Sequence, residues 1–308
     1  MLLRSLSRLR SGFKHSPSFI ASRRSLFISL TAALTVGYVS RPLLAQAYQV
    51  SITPTDPQLG DTISVIIQPE NPAATQTPTV TANGKNYPTF AIGGGRFRSF
   101  VPTSPLDSPG RVTIQVTGQE EPRNLAVGLR NRSFRTQSIW LPAGSDSLGT
   151  DHEFDRVDAF KQIVSPQKFW NGTLLRPSGG SVTSEYGVRR YYNGEFANNY
   201  YHRGVDYAAG TGAPVYAPAA GRIALVGRVR DGFELHGNTV GIDHGQGVLS
   251  IMIHLSRIDV QEGDFVNQGQ VIGGIGSTGA STGPHLHWGL YVNGVAVDPV
   301  PWRYDGFE

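Results

Sequence analysis

Three clusters of residues in this 308-residue chain have the types and spacing for chemistry. His285-Leu286-His287 follows Gly283-Pro284 and opens an alternating run. His285, His287, Gly289 and Tyr291 fall on one face, and Leu286, Trp288, Leu290 and Val292 on the other. Two positions along a strand separate side chains by about 6.6 Å with both pointing the same way. One imidazole can then hold a metal while its neighbour reaches toward whatever the metal binds. The second cluster is His202-Arg203-Gly204-Val205-Asp206. Four residues of straight strand span about 13 Å, so convergence of His202 and Asp206 requires a bent or bulged segment, with Gly204 permitting the bend. The third is His254, which closes the alternating run 248–254 on the face of Ser250 and Met252. The chain has no cysteine, so a metal site must be built from His and carboxylates, and thiol chemistry is excluded. Zinc in hydrolases takes three protein ligands and keeps a fourth position for water. His202, Asp206 and one of the His285/His287 pair make such a set, and His254 is placed to act on that water.

The elements that must position these residues are mainly strands. Gly 37, Pro 20 and only 16% charged residues favour a turn-rich β protein. Residues 62–67, 79–82 and 112–116 are β-branched-rich runs, and Asn83-Gly84 is a hairpin turn candidate. Further turns fall at 93–95 and 107–110, and 125–129 and 134–141 are expected to be closing strands. Residues 48–142 therefore form an N-terminal β-sandwich in this reading, with Arg130, Arg132 and Arg135 on a solvated strand face. Residues 143–169 make a linker with one short helix over 153–164, whose apolar stripe is Phe154, Val157, Phe160, Ile163 and Val164. His152 stands on the surface before it. Residues 170–308 return to strands and glycines.

The N-terminus carries an export signature. Residues 1–47 hold seven Lys or Arg and no acid, and residues 26–39 are an apolar run of signal-peptide length ahead of Ala45-Gln46-Ala47. Arg23-Arg24 resembles a twin-arginine signal; an ordinary secretory signal fits equally. Cleavage leaves a mature start at Tyr48 with no stable membrane anchor. It also leaves 20 of the 27 basic residues against 23 acidic ones, so the basic pI gives no ground for nucleic-acid binding.

Across its last 130 residues the chain resembles the lysostaphin/LytM-type zinc metallopeptidases, family M23. The matching pieces run in order: Glu185-Tyr186-Gly187-Val188-Arg189, His202-x-x-x-Asp206, Ala213-Pro214-Val215-Tyr216-Ala217-Pro218 and Gly237-Asn238-Thr239-Val240-Gly241. His254-Leu255, Gly263-Asp264-Phe265-Val266 and Gly276-Ser277-Thr278-Gly279 then lead into His285-Leu286-His287. The resemblance implies a mainly β fold, with an antiparallel barrel-sandwich peptidase domain following the N-terminal sandwich. It implies a Zn²⁺ held by His202, Asp206 and His287, with His254 and His285 as catalytic groups that hydrogen-bond the attacking water or stabilise the developing oxyanion. Zinc lowers the pKa of its water from ~15.7 to about 7, and imidazoles titrating near ~6.5 can take and return a proton. The implied substrate is the peptide part of bacterial peptidoglycan, met after export to the periplasm or cell envelope. Met252 departs from the family, which usually has Tyr there, and the family's tyrosine near the first ligand could be Tyr191, Tyr192, Tyr200 or Tyr201. His244 is read as structural and His236 has no assigned role.

Two other functions compete. Residues 263–273 resemble the hairpins of lipoyl and biotinyl carriers, but no lysine follows Lys168, so no attachment site exists. A non-catalytic activator of a cell-wall amidase would use the same fold without a complete ligand set, and here the set is complete.

Overall fold

The computed structural model describes residues 47–71, 76–140 and 149–307. The expected export segment, apart from Ala47, and the first residues of the expected 143–169 linker lie outside them. No helix among the described residues is long and apolar enough to cross a membrane.

Two four-stranded antiparallel sheets come first. One runs β1 (Gln49–Thr53), β2 (Thr62–Gln68), β6 (Arg96–Pro102), β5 (Thr89–Gly93). The other runs β4 (Lys85–Tyr87), β3 (Thr79–Ala82), β7 (Gly110–Thr117), β8 (Arg123–Leu129). Alternation in β7 sends Val112, Ile114 and Val116 inward and Thr113 and Gln115 outward. Those side chains meet Ile63, Val65 and Ile67 of β2 in one apolar core, as the period-2 pattern dictates. Asn83 and Gly84, both left-handed, close the β3–β4 hairpin. The expected closing strand over 134–141 does not join these sheets. Its core, β9 (Thr136–Ile139), pairs in parallel with β11 (Arg189–Tyr192), which also pairs with β12 (Glu195–Phe196).

After helix α1 (Asp151–Lys161), the chain builds its largest sheet. Its order is β10 (Ser181–Ser184), β13 (Val205–Ala208), β21 (His285–Val292), β17 (Val248–Leu255), β16 (Asn238–Gly245), β15 (Gly221–Gly227), β19 (Phe265–Val266), with β22 (Val295–Val297) on β21. A small sheet, β14 (Pro214–Tyr216), β20 (Val271–Gly274), β18 (Arg257–Ile258), accompanies it. The fold is mainly β as expected, although the sheets do not close into a barrel. β16, β17 and β21 are buried along nearly their whole length.

Helix α1 starts on Thr150, whose hydroxyl accepts from the Glu153 amide. It ends at Lys161, short of the expected 164. Its buried residues are Glu153, Val157 and Phe160, while Phe154 and Val164 are exposed. The apolar stripe was thus displaced in the expectation, because a carboxylate occupies one inward position.

The sandwich and the large sheet share a dense contact. Phe100 of β6 lies 5.4 Å from the Trp302 and Phe307 ring centroids and 6.1 Å from Trp170. Arg98, almost wholly buried, donates to the Phe307 carbonyl (3.0 Å) and to Gln246 Oε1 (2.7 Å). Arg132, expected on a solvated face, donates instead to the buried Asp298 carboxylate at 2.7 Å. Phe100→Ala removes the ring on which three aromatics converge and is expected to lower stability by about 3–5 kcal/mol. A denaturant or thermal melt reads this directly.

Candidate metal centre

The pairing of β13 with β21 sets the centre. Asp206 stands opposite His287, and Ala208 opposite His285. A carboxylate and an imidazole on paired residues project from the same side of the sheet. His285, two residues from His287, shares that side, as the alternation indicates.

His202 arrives from outside the strand. Its segment pairs with the stretch 187–188: the His202 amide donates to the Val188 carbonyl, and the Gly187 amide to the His202 carbonyl, both at 2.9 Å. Its Nδ1 donates to the Glu185 carbonyl at 2.8 Å. A carbonyl only accepts, so Nδ1 carries the proton and the Nε2 lone pair faces Asp206 and His287. Gly204 contributes close approach: a Cβ there would lie 2.2 Å from the Trp288 carbonyl oxygen and 2.8 Å from His287 Nε2.

Three ligand atoms converge. His202 Nε2 is 3.1 Å from Asp206 Oδ1 and 3.0 Å from His287 Nδ1, and His287 Nδ1 is 2.9 Å from Asp206 Oδ1. They form the sole His/Asp/Glu metal-type group among the described residues. Their spacing approaches the ~3.4 Å ligand–ligand edge of tetrahedral zinc with ~2.0–2.1 Å bonds. The donor chemistry fits as well. Burial would raise the Asp206 carboxyl, but the His202 and His287 rings packed against it outweigh this and hold it below the ordinary carboxylate range. Burial pushes His287 down to about 4, so its ring is neutral at pH 7. Two imidazoles and one carboxylate suit a divalent cation.

His254 and His285 lie beside this triad, with ring centroids 4.8 Å apart. Each spends its Nδ1 proton on a carbonyl at 2.8 Å, His254 on Thr278 and His285 on Gly283. In the neutral ring of each, Nε2 then carries the lone pair. His285 Nε2 is 4.0 Å from Asp206 Oδ1. Burial, with His287 nearby, lowers His254 to about 3.

The route by which His254 reaches the site differs from the expectation. Met252 pairs with Trp288 and Ile253 with His287. Plain alternation would send His254 with Met252 toward the Trp288 side, away from the triad. A bulge intervenes: Val240 opposes Met252 while Asn238 opposes Leu255, leaving one extra residue on β17. His254 takes φ +67°, a left-handed conformation that non-glycine residues rarely adopt. Bulges and such outliers re-aim side chains at functional sites. Met252 is fully buried among core residues rather than in the cleft, so its departure from the family pattern alters the core.

The tyrosine candidates also separate. The Tyr201 hydroxyl donates to the Ala296 carbonyl in the core, and Tyr191 packs on Phe196. Tyr200 and Tyr192 both accept from Arg190 Nη1, at 3.1 and 3.3 Å, and Asp206 is among the charges acting on Arg190. No motif in the sequence marks Arg190 for this place. His244 is buried between the Ala220 carbonyl and the Ser250 hydroxyl, a structural placement. His236, left without a role, bonds Glu153: Nδ1 to Oε1 is 2.7 Å.

Residues 200–299 match Peptidase family M23. Over 99 residues the chain is 50% identical to the DD-carboxypeptidase/endopeptidase Mpg of Neisseria meningitidis serogroup B, covering 32% of this chain and 22% of that protein. Over 106 residues it is 42% identical to lysostaphin of Staphylococcus simulans, covering 33% of this chain and 21% of that protein. The chain thus spans less than a quarter of these relatives' length. A Pseudomonas aeruginosa protein solved as a candidate peptidase M23 is similar over 80% of this chain and 95% of its own, with a TM-score of 0.59 and 28% identity. That similarity extends beyond the peptidase segment.

Proposed function

We propose, on the premise that residues 200–299 form a peptidase family M23 domain, that this chain is a zinc-dependent endopeptidase. It hydrolyses peptide bonds in the stem peptides or cross-bridges of bacterial peptidoglycan and works after export, in the periplasm or cell envelope. The observation that carries the reading is the convergence of His202 Nε2, Asp206 Oδ1 and His287 Nδ1 within about 3 Å of one another beside two imidazoles with free Nε2 atoms. The substrate class is supported by similarity to Mpg and lysostaphin.

His202, Asp206 and His287 would hold the zinc. When bound, zinc supplies a Lewis acid and lowers the pKa of a water to about 7. The chain's own residues do the rest. His254 and His285 present Nε2 lone pairs that can take the proton of the attacking water and return it to the departing amine. Their Nδ1 bonds to Thr278 and Gly283 fix tautomer and ring orientation. The near-complete burial of His202, Asp206 and His254 keeps the local dielectric low, where charge stabilisation is strongest. With one carboxylate among three ligands, a bound divalent ion retains net positive charge and favours an anionic tetrahedral species.

Digestion of purified peptidoglycan, with mass analysis of released fragments, tests the reading. New amino and carboxyl termini within stem peptides or cross-bridges are expected. Intact peptides, together with stimulation of an amidase, would instead support the activator reading.

A further inference from the structure

The strained histidine needs an external hold, and the structure provides one from outside the family-matched segment. Glu153 lies on α1, ahead of residues 200–299, and its side chain is fully buried. Its Oε2 accepts from the amides of Glu234 and Leu235 at 3.1 and 3.0 Å. Its Oε1 accepts from the His236 amide at 2.6 Å and bonds His236 Nδ1 at 2.7 Å. Three successive amides and an imidazole therefore close on one carboxylate, an anion nest filled by a side chain. Burial would raise this carboxyl, yet the His236 ring and the amides of Leu235 and His236 outweigh it and hold it at about 2. Thr150, the helix cap, ties the same loop by donating to the Gly232 carbonyl at 2.8 Å.

The loop so held grips His254 along two routes. The His236 carbonyl accepts the His254 amide at 3.0 Å. The Leu235 carbonyl accepts the Ala280 amide at 2.9 Å, and the Thr278 hydroxyl accepts the Asn238 amide at 3.0 Å. Thr278 in turn supplies the carbonyl that orients the His254 ring. Gly237 allows the two loops to touch, since a Cβ there would lie 2.5 Å from Thr278 backbone atoms. A left-handed histidine persists only where its surroundings over-determine it.

We propose that Glu153 is a positioning residue for His254: by clamping the amides of 234–236 it fixes the loop that holds the catalytic imidazole in its left-handed, site-facing conformation. The inference rests on the reading of His254 given above. It makes α1, a helix outside the matched domain, part of what the peptidase needs to work.

The test uses the zinc-loaded full chain with Glu153→Ala, Glu153→Gln and, as a control, Val157→Ala. Val157 is buried on the same helix and is not among the residues that bond the loop. In Glu153→Ala, kcat is expected to fall about 10–100-fold with KM within about twofold and zinc stoichiometry unchanged. Hydrogen exchange at the His254 amide should quicken at least about tenfold, while β13 and β21 keep their protection. Glu153→Gln, with one accepting oxygen left, should fall between wild type and alanine. Val157→Ala should lower the melting temperature yet leave kcat within about twofold of wild type. Unchanged His254 exchange in Glu153→Ala would overturn the proposal, as would a kcat loss that Val157→Ala reproduces. Because exchange needs no substrate, it decides the clamp even if the wild type cleaves no peptidoglycan.

Discussion

His202→Ala is expected to lose zinc and hydrolysis together. Removing one of the three proposed ligands leaves Asp206 and His287, and two groups cannot enforce a tetrahedral site. The departing ring also abandons the Glu185 carbonyl and opens a cavity in a buried position. Activity is expected to fall by at least ~10³-fold, since losing a single oxyanion donor already costs ~10²–10³. Metal analysis of the purified variant should find well under one zinc per chain. Retention of stoichiometric zinc would mean that His202 is not a ligand.

His254→Ala behaves differently. None of the three ligand atoms belongs to His254, so zinc remains. The variant lacks the group proposed to transfer the proton, and kcat is expected to drop about 10²–10⁴-fold with little change in KM. The conformation of residue 254 allows a second readout. At φ +67° alanine keeps a strain of about 1 kcal/mol that glycine does not feel. His254→Gly should therefore match His254→Ala in lost activity while melting higher, which would mark the conformation as one held for chemistry at the expense of stability. Near-normal cleavage by either variant would remove His254 from the catalytic assignment.

The legible parts of the site were those governed by local periodicity. His285 and His287 share a face because alternation in β21 is regular, and pairing with β13 then places Asp206 opposite His287. His254 lies beside the triad, as expected of a residue closing 248–254, but its route there is hidden in the sequence. A bulge changes which face a residue takes, and nothing in residues 248–254 marks the extra residue. Gly204, expected to permit the bend, also makes a close contact with the Trp288 backbone, which lies 84 positions away in sequence. Glu153 shows a different limit. Thr150-x-x-Glu153 has the form of a capping box, which would give Glu153 a local task. Its side chain instead reaches residues 234–236, a partner that periodicity cannot reveal. The parallel pairing of β9 with β11 was unreadable for the same reason.

The central claim is that His202, Asp206 and His287 hold one catalytic zinc. The most direct measurement is a zinc titration of the chelator-stripped protein, following release of peptide fragments from purified peptidoglycan. Cleavage should be absent without metal and rise to a plateau at one zinc per chain. Cleavage that persists in the stripped protein, or zinc that binds without restoring any, would contradict it.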